Sequence, residues 1–320
     1  MTQIFPGKKR AAQILETVAS EIVSKRLQPK IVSFYFVNDP GSRLYTRKKA
    51  EAAASVGIKF EAVALDMGAD QATARALAVA KIQTEPKAGV MVQKPTRKSF
   101  EEFWQGRVGR ETYDQWWQAW VELIPVERDI DGLAPQTQML LQAGEQVEFL
   151  PATLEAVREA LPKFTIEEAD GVFIQAYELP SEGRNWREFS LQDKKILIVG
   201  KSDLLGRPLA AWWQCHGLDV TLFGKKAILE KLETPQKLSE FDVIVSASGV
   251  PGLITGEQIK KGAILVDVGE PQGDVDLKSV IGIADCVTPV PGGVGPLTVA
   301  CLLRNAAKLD AFLSELDGEF

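Results

Sequence analysis

The chain has 320 residues, 45% of them hydrophobic and 25% charged, which is enough apolar material to bury a sizeable core and too much for a disordered chain. Its 37 basic and 43 acidic side chains leave a net charge of −6, which argues against nucleic acid or an anionic membrane as the main partner and for small molecules. With one histidine, His216, and three scattered cysteines, Cys215, Cys286 and Cys301, the usual zinc sites, histidine triads and disulfide frameworks are excluded; no metal is expected, His216 reads as structural, and the thiols read as core residues in a reducing cytosol.

After Lys8, Lys9 and Arg10, residues 11–23 place apolar side chains at helical spacing and lack the pattern of a signal peptide. No apolar run approaches the roughly 20 residues that a membrane-spanning helix requires. Apolar runs at 31–37, 60–65 and 89–92 alternate with helical patterns near 43–56 and 70–83, an order that predicts a parallel sheet covered by helices. Ser42 reads as the cap of the helix near 43–56, with Tyr45 and Lys49 at i and i+4 on one face. A ring and an amine pointing together could serve catalysis, although from spacing alone the plainer reading is a solvated, basic helix start.

Val92-Gln93-Lys94-Pro95 closes the third strand at the carboxyl end of its sheet, where open α/β folds bind ligands. Segment 99–124 holds four of the seven tryptophans, Trp104, Trp116, Trp117 and Trp120, and their spacing indicates packing or an oligomer contact rather than a catalytic group. Arg128-Asp129-Ile130-Asp131-Gly132 sets a carboxylate before a turn, which by itself suits a cap as well as a ligand contact. A domain link is placed near 151, followed by a helix at 153–161 and an irregular polar excursion at 180–186. Apolar runs at 195–200, 219–223, 241–246 and 262–267 then repeat the α/β theme.

Behind the strand ending at Val199, Gly200-Lys201-Ser202 and Gly206-Arg207-Pro208 form a glycine turn that opens onto a helix whose first amides can receive phosphate, without the G-x-G-x-x-G spelling. The next strand ends ahead of Lys225 and Lys226 with no acidic residue to hold a ribose diol, which favours NADP over NAD. Thr288-Pro-Val-Pro-Gly-Gly-Val-Gly-Pro-Leu-Thr298 reads as a loop whose glycines let the main chain approach a flat ligand and whose prolines fix the approach; it feeds a helix from 299.

In this order, the motifs resemble the bifunctional methylenetetrahydrofolate dehydrogenase/methenyltetrahydrofolate cyclohydrolase family over nearly the whole chain. Tyr45 and Lys49 look like its tyrosine–lysine helix, Val92 to Pro95 like its Val-Gln-x-Pro strand end, and Asp129 to Gly132 like its Asp-x-Asp-Gly turn. Gly200 to Ser202 with Gly206 to Pro208 look like its cofactor loop, and residues 289–298 match its Pro-Val-Pro-Gly-Gly-Val-Gly-Pro-x-Thr segment at every defined position.

The resemblance implies an α/β fold of two domains with a cleft between them: a folate-binding catalytic domain at 1–150, completed by a helix at 299–320, and a Rossmann-like NADP-binding domain at 151–298. It implies oxidation of 5,10-methylenetetrahydrofolate to its methenyl form with NADP, NAD being the alternative, then hydrolysis to 10-formyltetrahydrofolate, in a cytoplasmic homodimer. A dehydrogenase lacking the hydrolytic step and a folate- or partner-binding protein without turnover are the competing readings. Lys49 would activate water or shuttle protons, Gln93 would orient it, Tyr45 would stack on the folate, and Asp131 would accept hydrogen bonds from the pterin. Val92, Pro291, Gly292, Gly293 and Gly295 would line the substrate. Gly200, Lys201, Ser202, Gly206, Arg207, Lys225, Lys226, Ser248, Gly249, Glu270 and Thr298 would hold the cofactor.

Three departures stand out. Pro151-Ala-Thr-Leu154 replaces the family's Pro-Cys-Thr-Pro. Lys94 replaces an apolar residue, adding a cation that could act on Lys49 or meet the folate's glutamate tail. Glu270 replaces an isoleucine-like contact to the cofactor and bears on cofactor choice.

Overall fold

Strands and helices alternate as the apolar runs require, and the strands are short, two to seven residues. The structure is a computed structural model that describes residues 2–105, 112–161, 164–168, 171–175 and 191–318. In chain order the elements are β1 (Gln3–Ile4), α1 (Gly7–Ser24), β2 (Lys30–Phe36), α2 (Pro40–Ser55), β3 (Lys59–Leu65), α3 (Gln71–Thr84), β4 (Gly89–Val92), α4 (Arg97–Trp104), α5 (Tyr113–Val121), α6 (Pro135–Ala143) and α7 (Ala152–Ala160). They continue with β5 (Phe164–Glu168), β6 (Gly171–Gln175), β7 (Lys195–Val199), α8 (Gly206–Cys215), β8 (Asp219–Phe223), α9 (Lys225–Leu232), β9 (Val243–Ser246), β10 (Ile264–Asp267), α10 (Leu277–Val280), β11 (Cys286–Val287) and α11 (Val294–Leu316). The excursion expected at 180–186 lies outside the described residues.

The chain divides into two compact units, one of Met1–Ala12, Met139–Val147 and Thr153–Cys301, the other of Gln13–Gln138, Glu148–Ala152 and Leu302–Phe320. In the second of these, three parallel strands run in the order β3-β2-β4. Central β2 is covered on both faces, with Ile31, Val32, Phe34 and Phe36 at most 1% exposed, as a continuous apolar run in a parallel sheet should be. The tryptophans belong to this core. Trp116 and Trp120 pack on Phe36 at ring distances of 4.6 and 5.4 Å, Phe100 lies 4.9 Å from Trp116, and the Trp116 indole N–H donates to Gln71 Oε1 at 2.9 Å. Of the two uses the spacing allowed, α5 therefore serves packing.

The other unit holds six parallel strands in the order β1-β11-β10-β9-β7-β8, and a separate antiparallel pair, β5 with β6. Leu197, Val199, Ile244 and Leu265 fill its core together with Ile254 and Phe241. The chain passes from β7 to β8 on one side and then returns to β9 on the other side of β7, so the loops after β7 and β9 flank a topological switch point. Arg10, on α1, pairs with the buried Glu159 of α7 at 2.9 Å within the same unit.

Two of the three thiols meet the expectation of burial: Cys286 is 3% exposed and Cys301 is fully buried. Cys215 does not. It ends α8 and is exposed, because its apolar neighbours Trp213 and Leu209 occupy the inward face of that helix. Burial pushes the Cys286 thiol up to about 12. An alkylating agent at mildly alkaline pH is accordingly expected to modify Cys215 alone in the native chain and all three thiols in denaturant, counted by intact mass. A native adduct on Cys286 would contradict this packing. His216 follows at the end of the helix, where its Nδ1 lies 2.6 Å from the Trp212 carbonyl and its ring 4.5 Å from the Trp212 ring.

Candidate active site

The first cluster is built on α2. Asp39 precedes the helix in an extended conformation, and its Oδ2 accepts the Ser42 N–H at 2.5 Å. The cap is therefore Asp39 and not Ser42. Pro40 lacks an N–H and has a preset φ, so it suits the first helical position, and the helix begins earlier than the serine suggested. Tyr45 and Lys49 follow one turn apart. Tyr45 is half-buried, with the Lys48 ammonium 5.5 Å from its ring centre. Lys49 is 7% exposed, and its Nζ donates to Gln93 Oε1 at 3.1 Å and lies 3.7 Å from Asp131 Oδ2.

Each partner of Lys49 is delivered by a different element. Val92, 2% exposed, ends β4 inside the core, and the Gln93 N–H prolongs the ladder by donating to the Phe34 carbonyl at 2.8 Å. Arg128 anchors the approach to Asp131: its guanidinium donates to the carbonyls of Ile82 and Glu85 at the end of α3, where a helix leaves acceptors unpaired. Asp131 is 6% exposed. The result is an amine held in a nearly dry place by a neutral amide oxygen and a carboxylate, an arrangement suited to holding or moving one proton.

Lys94 lies on a different face. Alternate residues of an extended chain point to opposite faces, so where Gln93 meets α2, Lys94 meets α5. Its Nζ lies 5.0 Å from the Trp117 ring centre and 5.9 Å from that of Tyr113, while the Tyr113 hydroxyl donates to the Pro95 carbonyl at 2.7 Å. Lys94 is thus a cation held over two aromatic faces.

A second cluster lies in the six-stranded unit at its switch point. Gly200 ends β7 with φ +114° and sits against the Ala247 carbonyl, so the loops after β7 and β9 touch. A Cβ on Gly206 would stand 1.7 Å from the Gly200 carbonyl oxygen, which leaves glycine as the residue that fits. Arg207 donates to the Lys201 carbonyl at 3.1 Å through Nε, and its N–H to that of Ser202 at 3.1 Å. The Lys201 stem runs along Gly224, 3.4 Å from the Cβ position, next to Lys225 at the start of α9; Lys225 and Lys226 are exposed. Ser248 donates through both N–H and Oγ to Asp274 Oδ2, at 2.6 and 2.8 Å, ahead of the exposed Gly249.

Residues 289–298 divide between loop and helix. Helix α11 begins at Val294, so Gly295 and Thr298 are helical, earlier than the start read near 299; a proline at 296 is tolerated in a first turn, whose N–H groups have no intrahelical partner. Thr298 Oγ1 turns back to the Val294 carbonyl at 3.4 Å. Pro291 is exposed, Gly292 adopts φ +109° beside the stem of Lys8, and Gly293 is buried with its N–H on the Pro289 carbonyl at 2.7 Å. Glu270 lies over Gly295, with Oε1 2.6 Å from the position of a Cβ there. Among the described residues no cluster of three or more His, Cys, Asp and Glu side chains could hold a metal ion, and no helix is long and apolar enough to cross a membrane.

A family model described as the tetrahydrofolate dehydrogenase/cyclohydrolase catalytic domain matches residues 5–104, and one described as the NAD(P)-binding domain of the same family matches residues 185–312. A relative named bifunctional protein FolD, from Methanoculleus marisnigri, is 31% identical over 96% of this chain and 96% of its own length. The chain belongs to the tetrahydrofolate dehydrogenase/cyclohydrolase family. Another FolD, from Dechloromonas aromatica, is 28% identical over 96% of both chains. Among solved structures, the bifunctional FolD methylenetetrahydrofolate dehydrogenase/cyclohydrolase of Campylobacter jejuni superposes with a TM-score of 0.75 at 26% identity, covering 98% of this chain and 100% of that one.

In this tetrahydrofolate dehydrogenase/cyclohydrolase chain, the sequence reading gave no role to two buried carboxylates. Asp129, 1% exposed, ties the turn that bears Asp131, and Asp274, fully buried, ties Ser246 and Ser248 at the end of β9. The available signal was an acidic residue two positions from another in an apolar setting, in Asp129-Ile-Asp131 and Asp274-Val-Asp276; in the first pair both carboxylates are buried, and in the second Asp276 is exposed.

Proposed function

We propose that this chain oxidises 5,10-methylenetetrahydrofolate to 5,10-methenyltetrahydrofolate with NADP and then hydrolyses the product to 10-formyltetrahydrofolate. The observation that carries the reading is the buried Lys49 amine between Gln93 and Asp131, 3.1 and 3.7 Å away. A dehydrogenase alone needs positioning for hydride transfer, whereas a hydrolytic step needs a group that accepts and returns a proton. The chain suits the dinucleotide on its own features: a turn with room for backbone only at Gly206, and Lys201, Lys225 and Lys226 beside a strand end that carries no acid for a ribose diol. When bound, NADP supplies the acceptor for the hydride that leaves the one-carbon bridge.

In the hydrolytic step Lys49 takes a proton from water as its oxygen bonds to the methenyl carbon. The carbon–N5 bond then breaks with its electron pair going to N5, which receives the proton from Lys49, and the proton of the carbinol hydroxyl is lost to solvent as its oxygen becomes the formyl C=O. Gln93 keeps the Lys49 nitrogen directed by accepting its hydrogen bond, and Asp131 accepts from the amino and ring N–H groups of the pterin. Tyr45 stacks on the folate. Folate is assigned to residues 1–150 with 299–320, supported by the Lys49 cluster, and NADP to residues 151–298, supported by the glycine turn. The family resemblance further supports a homodimer and a cytosolic location.

The test is turnover of 5,10-methylenetetrahydrofolate with NADP and NAD in parallel, following reduced cofactor and methenyl absorbance together. Reduced NADP without methenyl build-up is the expected result. Methenyl build-up would leave a dehydrogenase alone, and absence of reduced cofactor with either dinucleotide would overturn the reading.

A further inference from the structure

The turn that carries Asp131 is held by side chains that have no place in the chemistry above. Asp129 Oδ1 accepts the N–H groups of Gly132 and Leu133 at 2.9 and 3.1 Å, and its Oδ2 accepts the Ala134 N–H and the Thr137 hydroxyl, both at 2.7 Å. From the other side, the Asn305 amide donates to the Ile130 carbonyl at 3.0 Å and to the Leu150 carbonyl at 2.9 Å. Ile130 is fully buried, and Gly132, at φ +75°, packs on Pro151. Within 129–132, Asp131 is thus the residue whose side chain is left to face Lys49.

We propose that Asp129, with Asn305 behind it, is a positioning residue for folate recognition: its carboxylate gathers the turn so that Asp131 meets the pterin in one fixed orientation. The inference rests on the folate reading. A buried carboxylate with no cation on it is costly unless several donors satisfy it, and four do so here. Each oxygen accepts two of them, and three of the four are backbone N–H groups that cannot reverse. An asparagine at 129 would turn its NH2 towards donors and release part of the turn. Charge-assisted bonds between Asp131 and the pterin demand that the carboxylate sit in place beforehand, because a loose one must be ordered at binding.

The test is steady-state kinetics of Asp129→Asn against wild type, with each substrate varied in turn and melting temperatures recorded. The KM for methylenetetrahydrofolate is expected to rise about tenfold to a hundredfold while the KM for NADP and kcat stay within about threefold, the pattern of lost binding of one ligand. A merely structural carboxylate would lower the melting temperature and leave the two KM values moving together or not at all, and that result would overturn the proposal. If Asp129→Asn does not fold, Thr137→Val removes a single bond at constant volume and is expected to raise the folate KM about threefold without changing that of NADP; an unchanged folate KM there overturns the proposal equally. Wild-type turnover separates the two levels: a wild type that reduces neither NADP nor NAD sinks the folate reading and this inference with it, whereas an active wild type beside an unaltered variant sinks the inference alone.

Discussion

Lys49→Ala is expected to form reduced NADP and to accumulate the methenyl intermediate, with hydrolysis slowed by about 10²- to 10⁴-fold, the contribution of a positioned acid–base group. The reason is specific to the place of the amine. Hydride departure leaves a delocalised cation whose attack by water requires a proton acceptor and whose ring opening requires a proton donor at N5. Among the groups that meet at this point, the Gln93 amide has no useful basicity, and Asp131 lies 3.7 Å from Nζ, where the reading commits it to the pterin. Alanine removes the proton carrier and leaves a small gap, so binding of folate should change far less than hydrolysis. Lys49→Arg separates charge from proton exchange: guanidinium keeps the positive charge but does not deprotonate in proteins, so it should fail in hydrolysis as alanine does. Full hydrolytic activity in either variant, measured as decay of methenyl absorbance, would remove Lys49 from the mechanism.

Gly206→Ala should lose response to NADP and lower the melting temperature. The added methyl would stand 1.7 Å from the Gly200 carbonyl oxygen, and the atom in its way is backbone, which cannot swing aside as a side chain can. Either the turn after β7 opens, which spreads the amides proposed to receive the cofactor phosphate, or α8 shifts along its axis from Leu209 and Trp213, both fully buried. Overpacking of this kind costs about 1–3 kcal/mol, and a backbone clash belongs at the upper end. Gly217→Ala is the control. Gly217 also ends a turn, at φ +73°, but has nothing within 4 Å of a Cβ, so it should show modest strain and an unaltered KM for NADP. Equal effects of the two substitutions on NADP would mean that the turn after β7 holds no cofactor.

The α/β series was legible because buried parallel strands need unbroken apolar runs and their covering helices need one apolar face, and both patterns are local. The misreadings also have local causes. Ser42 looks like a cap because serine caps well, but the preceding Asp39-Pro40 offers both a better acceptor and a better first residue. Residues 294–298 look like loop because glycine and proline usually break helices, whereas in a first turn neither costs a hydrogen bond. β1 has two residues and acquires its identity from Cys286 and Val287, far along the chain, so no window of neighbouring residues could reveal it.

Motif order alone identified the family and the class of ligand and singled out the lysine and the glycine turn, since each rests on residue types at short, fixed spacing. Convergence was beyond it. Lys49 and Gln93 stand 44 positions apart, and that they meet with Asp131 follows from β4 lying beside β2, from Arg128 tying the chain to the end of α3, and from Asp129 closing the turn. The same holds for the indoles of α5 and for Lys94: whether a tryptophan lines a core or a surface, and which face a lysine joins, depends on what packs opposite, and the packing of distant segments is written in no single stretch of residues.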